Sequence, residues 1–124
     1  MFRGLFGAGN AGSNPKYDSV DYIRVEAQID GGGYNNVIWF SHVGGSSDNV
    51  AFGVDRDFDN LADSTDDLLG TALKSYNASI SGTGSTLDIR ISVHMEYGSE
   101  EVAFDNIQIL GAVSDDEVIT LSAT

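Results

Sequence analysis

Apolar and polar residues alternate along this chain with a period of two. From Thr86 to Glu96, Leu87, Ile89, Ile91, Val93 and Met95 share one parity, and Asp88, Arg90, Ser92, His94 and Glu96 share the other. Successive side chains of a strand point to opposite faces, so this run predicts a half-buried antiparallel strand. Asp21 to Ile29 alternates in the same way, with Ile23, Val25, Ala27 and Ile29 against Tyr22, Arg24, Glu26 and Gln28. Asp30-Gly31-Gly32-Gly33 follows as a turn, because glycine permits the positive φ that tight hairpins need. Tyr34 to Val43 returns as a second strand. It is apolar on both parities, Ile38 and Phe40 against Val37 and Trp39, which predicts a central position or a ligand-facing aromatic.

Two further strands, Ala72 to Ile80 and Thr86 to Glu96, bracket the turn Ser81-Gly82-Thr83-Gly84-Ser85. After a turn at Tyr97-Gly98-Ser99-Glu100, the segment Glu101 to Leu110 changes phase: Val102 and Phe104 have one parity, Ile107 and Ile109 the other. A bulge near Asp105-Asn106 reconciles the two halves by inserting one residue, and it would re-aim Asp105 toward an ion. Glu117 to Ser122 is a last candidate strand, and Asp66 to Lys74 has room for one short helical turn. Gly7 to Pro15, Gly44 to Asn49 and the acidic stretch 54–67 serve as linkers. Many short strands with glycine-rich turns predict an all-β antiparallel sandwich of the jelly-roll type. The single domain covers residues 1–124, opening with a weak strand and a Gly-rich loop over 1–20 and closing with an extension over 112–124.

Charge changes the picture more than length does. Nineteen Asp and Glu face six Lys and Arg, a net charge of −13. The cations are scattered, so no basic patch exists for a polyphosphate backbone or an anionic membrane surface. Self-repulsion of this size opposes compaction unless cations neutralise it. There is no cysteine, so disulfides are excluded. No stretch approaches the roughly 18 apolar residues of a membrane span. The first nine residues lack the apolar region of a secretory signal; for an exported protein, the signal would be removed or lie upstream.

The stretch Asp55 to Asp66 carries the strongest chemical signal. It places acids at loop positions 1, 3, 5, 9 and 12, the spacing with which oxygen donors wrap a calcium ion. Asp55, Asp57, Asp59, Asp63 and Asp66 would supply side-chain oxygens and Leu61 its carbonyl. Asn60 stands where glycine is usual, and asparagine tolerates the left-handed backbone needed there. The plain alternative is a solvated acidic loop. A second acidic group comprises Glu100, Glu101 and Asp105, with Asp18 or Asp21 close in space; Asp105 would hold a structural calcium or order a loop. Tyr22, Tyr34 and Trp39 are candidates for a sugar-stacking platform, the alternative for Trp39 being the core. His42 and His94 are not in metal-ligand spacing. No nucleophile elbow or His–Asp partnership marks an enzyme, so the chain is read as non-catalytic.

Three phrases carry a resemblance: Asp21 to Tyr34, Gly82 to Arg90, and Glu100-Glu101-Val102-Ala103-Phe104-Asp105-Asn106-Ile107. Together they resemble a jelly-roll accessory domain of secreted bacterial multidomain proteins, similar also to MAM-like and carbohydrate-binding sandwiches. The resemblance spans residues 5–111 and implies an exported, non-catalytic β-sandwich, often with calcium, outside the cell or at its surface. Relatives tend to have glycine at the place of Asn60, and further strands before Leu5. A sandwich short of an edge strand leaves backbone groups unpaired, which another chain can satisfy. The segment Asp116 to Thr124, with Val118, Ile119, Thr120 and Leu121, is the candidate donor. Two functions follow as expectations: a structural or adhesive assembly subunit polymerising by strand exchange, or a carbohydrate-binding module of a secreted enzyme.

Overall fold

The computed structural model describes residues 1–9, 17–44, 51–96, 98 and 100–111, together with the backbone of 118–120. Eight strands occur among them: β1 Phe2–Ala8, β2 Tyr22–Ile29, β3 Tyr34–His42, β4 Phe52–Asp55, β5 Lys74–Ala78, β6 Leu87–His94, β7 Val102–Leu110 and β8 Val118–Thr120. They form two four-stranded antiparallel sheets, ordered β5-β1-β7-β8 and β4-β3-β2-β6. The expected all-β antiparallel sandwich is therefore the observed architecture. The chain crosses between sheets at β1–β2, β4–β5, β5–β6 and β6–β7, so four connections wrap the ends of the sandwich. Among the described residues no helix is long and apolar enough to cross a membrane.

The alternating residues meet between the sheets. Ile23, Val25 and Ala27 of β2 and Ile38 and Phe40 of β3 pack against Phe2 and Phe6 of β1 and Tyr76 of β5. Phe6 and Phe40 bring their rings to 4.7 Å, and Tyr76 meets Phe40 edge-on at 5.0 Å, tying β1, β3 and β5 across the interlayer space. Burying one such side chain contributes about 1.5–3 kcal/mol, and a well-placed aromatic pair about 0.5–1.5 kcal/mol more. The first strand, weak in sequence, proves central. It lies between β5 and β7, and a Cβ at Gly4 would come within 2.8 Å of the side chains of Ile107 and Phe6.

Two bulges explain the irregular hydrophobic phases. In the β2–β3 ladder, Val25 pairs with Ile38 but Glu26 pairs with Asn36. The extra residue is Val37, and both Val37 and Ile38 are buried. The apolar run of β3 is thus a bulged strand whose two neighbouring apolar residues both turn inward. In the β1–β7 ladder, Arg3 pairs with Gln108 and Leu5 with Asp105, so the bulge falls where the phase change places it, with Asn106 at φ 51°.

The short helical turn expected over Asp66 to Lys74 is not formed. Leu69 N–H donates to the Phe52 carbonyl at 2.9 Å, and Leu68 makes a bridge to Gly53. The segment follows β4 and takes its backbone partners from that strand rather than from itself. The expected last strand forms over Val118–Thr120, where it pairs with β7 of the same chain, Leu110 opposite Val118 and Gln108 opposite Thr120. Leu121 and most of the linkers Gly7 to Pro15 and Gly44 to Asn49 lie outside the described residues.

Candidate metal centre

The acidic loop leaves β4 at Asp55, which is fully buried. Its carboxylate accepts the Ser41 hydroxyl at 2.7 Å and the backbone N–H groups of Phe58 at 2.7 Å and Asn60 at 2.9 Å. A tight loop aims several N–H groups inward, and an ionised carboxylate is the side chain best able to accept more than one of them. The loop turns twice through left-handed backbone, at Phe58 (φ 64°) and Asn60 (φ 71°). Asparagine adopts that conformation readily; phenylalanine does so only where its surroundings hold it there. Asp59 accepts its own loop's Leu61 N–H at 2.8 Å, and Asp63 accepts Arg56 N–H at 3.0 Å.

Of the predicted ligands, Asp55, Asp57 and Asp63 converge, each bringing one carboxylate oxygen within 4.8 Å of the others. The Asp57 carboxyl is pushed above its ordinary range, by desolvation first and then by the charges of Asp59 and Asp63. Asp59 and Asp66 do not join the cluster. Asp66 is exposed, with its N–H on Ser64 Oγ, and Leu61 leaves a large apolar side chain in solvent. Asp105 sits exposed on β7 and accepts the N–H of Asn106 at 2.7 Å; the bulge turns its carboxylate to a local backbone amide. Within the second acidic group, Asp21 and Glu100 are both buried.

The aromatic candidates share the outer face of the β4-β3-β2-β6 sheet. The Arg24 guanidinium lies over Tyr22 at 3.9 Å and over Trp39 at 4.1 Å, and Arg90 lies over Tyr34 at 3.8 Å. Tyr22 stacks on His94 at 5.5 Å, and Trp39 meets Phe58 of the acidic loop edge-on at 5.5 Å. Trp39 is half-buried on this face and is not part of the core. All three rings thus carry a guanidinium against one face, an attraction between cation and ring quadrupole that also dehydrates the ring. Trp39 is also the cross-strand partner of Asp55, so the acidic loop and the aromatic face are contiguous.

A cavity of about 480 Å³ that the sequence does not announce opens at one end of the sandwich. Asn35, Asn36, Ser79, Ser81 and Thr83 are among its walls, Ala27, Ile29 and Val37 contribute apolar surface, and among the described residues no charged side chain lines it. In the sequence these positions look like ordinary turn and strand-end residues. Only the bulge at Val37 hints that the hairpin is shaped for more than pairing. Comparison with known protein families, curated proteins and solved structures yields no match.

Proposed function

We propose that the chain is a non-catalytic, extracellular β-sandwich of the jelly-roll type whose loops are fixed by calcium, acting as a structural or adhesive subunit. The convergence of Asp55, Asp57 and Asp63 in a chain of net charge −13 carries this reading. The donors are all oxygen, the preference of a hard cation. A bound divalent ion also offsets the repulsion from Asp59 and Asp63 that, after desolvation, pushes the Asp57 carboxyl up. Binding to the folded state alone stabilises it by about 2.7 kcal/mol at a hundredfold excess over Kd, a rise of roughly 10 °C in a domain of this size. Thermal melts in calcium and in chelator test it. The Asp57→Asn/Asp63→Asn double variant is expected to lose the calcium-dependent rise; equal melting temperatures in both media for the native chain would overturn the assignment.

Assembly by strand exchange draws on β8. Its three-residue ladder with β7 is short, and the same pairing could form between copies. Removing residues 112–124 should then abolish any polymer, and unchanged polymers after truncation would exclude exchange. The second reading, a carbohydrate-binding module, is favoured by the uncharged end cavity, whose amides and hydroxyls suit a sugar better than the arginine-covered rings do. Glycan-array binding that is lost on Asn36→Ala would support this reading, and a blank array would remove it.

A further inference from the structure

Along β2 and β6, the outer face of the β4-β3-β2-β6 sheet partners its charged side chains, with one exception. Arg90 Nε donates to Glu26 at 2.9 Å, and Gln28 Nε2 donates to Asp88 at 3.2 Å. Arg24 has Trp39 of β3 and Ser92 of β6 as its cross-strand neighbours, and neither carries a charge. Among the described residues its guanidinium forms no ion pair and donates no hydrogen bond, and its Nε is buried with no acceptor. A chain with nineteen acids does not leave an arginine unpaired for want of carboxylates. The rings of Tyr22 and Trp39 hold it instead, at 3.9 and 4.1 Å. Stacking fixes the guanidinium plane, and its N–H donors lie in that plane, so the fork is oriented before anything binds it.

The acidic loop folds against the same face. Phe58, held at φ 64°, meets Trp39 edge-on at 5.5 Å. Asp57 and Asp59 flank Phe58, and both are exposed. Asp57 belongs to the metal cluster; Asp59 does not, so its charge stays available when the loop holds an ion. Asp59 Oδ1 accepts Leu61 N–H at 2.8 Å, and among the described residues no donor reaches its other oxygen. Asp59 and Arg24 form no ion pair with each other. One face thus presents a cation and an anion, each without an ion pair, with Trp39 and Phe58 between them.

This arrangement restricts what can cover the face. An occupant that satisfies Arg24 must bring an acid, and one that tolerates Asp57 and Asp59 must bring a cation beside it. A free carboxylate supplies the first and is repelled by the second. A second copy of the chain, turned by half a circle about the aromatic pair, supplies both, because in a two-fold interface each contact occurs twice with the roles exchanged. Arginine, tryptophan and tyrosine are also the side chains that dominate the energetics of protein interfaces. Repulsion between two chains of net charge −13 is screened over about 8 Å at physiological ionic strength, so the charges in contact decide the fit.

We propose that two copies of the chain pair face to face through this surface, with Arg24 of each copy reaching Asp59 of the other across the Trp39 and Phe58 rings. The pairing is independent of strand exchange, since β8 belongs to the other sheet.

Sedimentation of the full chain in calcium, over a range of concentrations, tests this. The native chain should dimerise. Arg24→Asp and Asp59→Arg should each sediment as monomers, with the dissociation constant raised by about a hundredfold, because each sets like charges against one another in the dimer. An equimolar mixture of the two variants restores opposite charges at both contacts and should dimerise again, which a folding defect in either variant would prevent; circular dichroism melts identify such a defect. Trp39 is the only tryptophan, so its emission should shift to the blue as the native chain is concentrated and should not shift in either variant alone. A native chain that remains monomeric overturns the proposal, as does a dimer that persists in both charge reversals. A dimer lost only on removal of residues 112–124 assigns association to strand exchange and overturns it too. Two folded monomeric variants whose mixture stays monomeric exclude the Arg24–Asp59 contact. A native monomer whose Trp39 emission responds to added acetate shows that Arg24 serves a free carboxylate, which also overturns pairing between copies.

Discussion

The 55–66 loop and the Asp21–Glu100 pair are both acidic, and they solve opposite problems. In the loop, Asp55 is buried but its oxygens are filled by Ser41, Phe58 and Asn60, while Asp57 and Asp63 face water. In the pair, both carboxylates are buried, and among the described residues no donor reaches one oxygen of Asp21. The loop has the spacing of a metal site and fills the oxygens of Asp55 itself; the pair has no such spacing in the sequence, and Asp21 Oδ1 meets no donor among the described residues. Regular acidic spacing marks where carboxylates can serve a loop's own amides, whereas residues far apart in the chain become neighbours with no such signal. The two regions touch through the β1–β2 connection, since Asn60 Nδ2 donates to the Ser19 carbonyl at 3.0 Å. An ordered loop therefore helps to order that connection.

The sharpest way to break the comparison is Asp55→Ala. It leaves the buried Ser41 hydroxyl and two backbone N–H groups without their acceptor, at a cost of about 3–5 kcal/mol. The loss should appear in urea unfolding with and without calcium, because the role assigned to Asp55 is to satisfy the loop. A loss seen only in calcium would make Asp55 chiefly a ligand and erase the contrast.

Next in size is the effect of the pair. Asp21→Ala should cost less in chelator than Asp55→Ala, because it deletes a repulsion along with a hydrogen bond. Urea midpoints of the two variants in chelator decide the order. A reversed order would show that the buried pair is the better satisfied of the two.

Tyr17→Phe removes the hydroxyl that bridges Gly9 and Glu101, worth about 1 kcal/mol. Urea unfolding should show this loss alike with and without calcium, and an unchanged midpoint would show the hydroxyl to be dispensable.

The smallest effect concerns a third carboxylate at the other end of the sandwich. Asp30 Oδ1 accepts the N–H groups of Ser85 at 2.9 Å and Thr86 at 2.8 Å, which hold its pKa below the ordinary range. A depressed pKa means that its contribution is present above the unfolded-state value and is lost as pH falls through the folded one. Asp30→Asn should flatten that part of the stability–pH curve slightly. A profile identical to that of the native chain would show the cap to be dispensable.

Much of the fold was legible because sheet burial imposes a two-residue period. Ile23, Val25 and Ala27 alternate inward as their parity requires, and the phase change in β7 located its bulge at Asp105-Asn106. The bulge at Val37 was harder to see, because an apolar run on both parities reads equally well as a central strand. The helical turn after Asp66 failed for a tertiary reason: β4 offers that segment ladder partners which short-range propensity does not register. At the candidate sites, linear spacing found the loop cluster but included Asp59 and Asp66, whose side chains the loop's path keeps out of it. The fate of Asp105 depended on a neighbouring amide, and the sheathing of Tyr22, Trp39 and Tyr34 depended on arginines two residues, one strand and two strands away.

By itself the sequence determined an acidic, cysteine-free, antiparallel β-sandwich with a concentrated run of carboxylates, because alternation and composition are local properties that any fold of this chain must respect. Only the tertiary structure decided which acids share a space and which are already satisfied. Asp21 and Glu100 stand far apart in the chain and meet because two sheet crossings end at the same corner, and burial is a property of that corner.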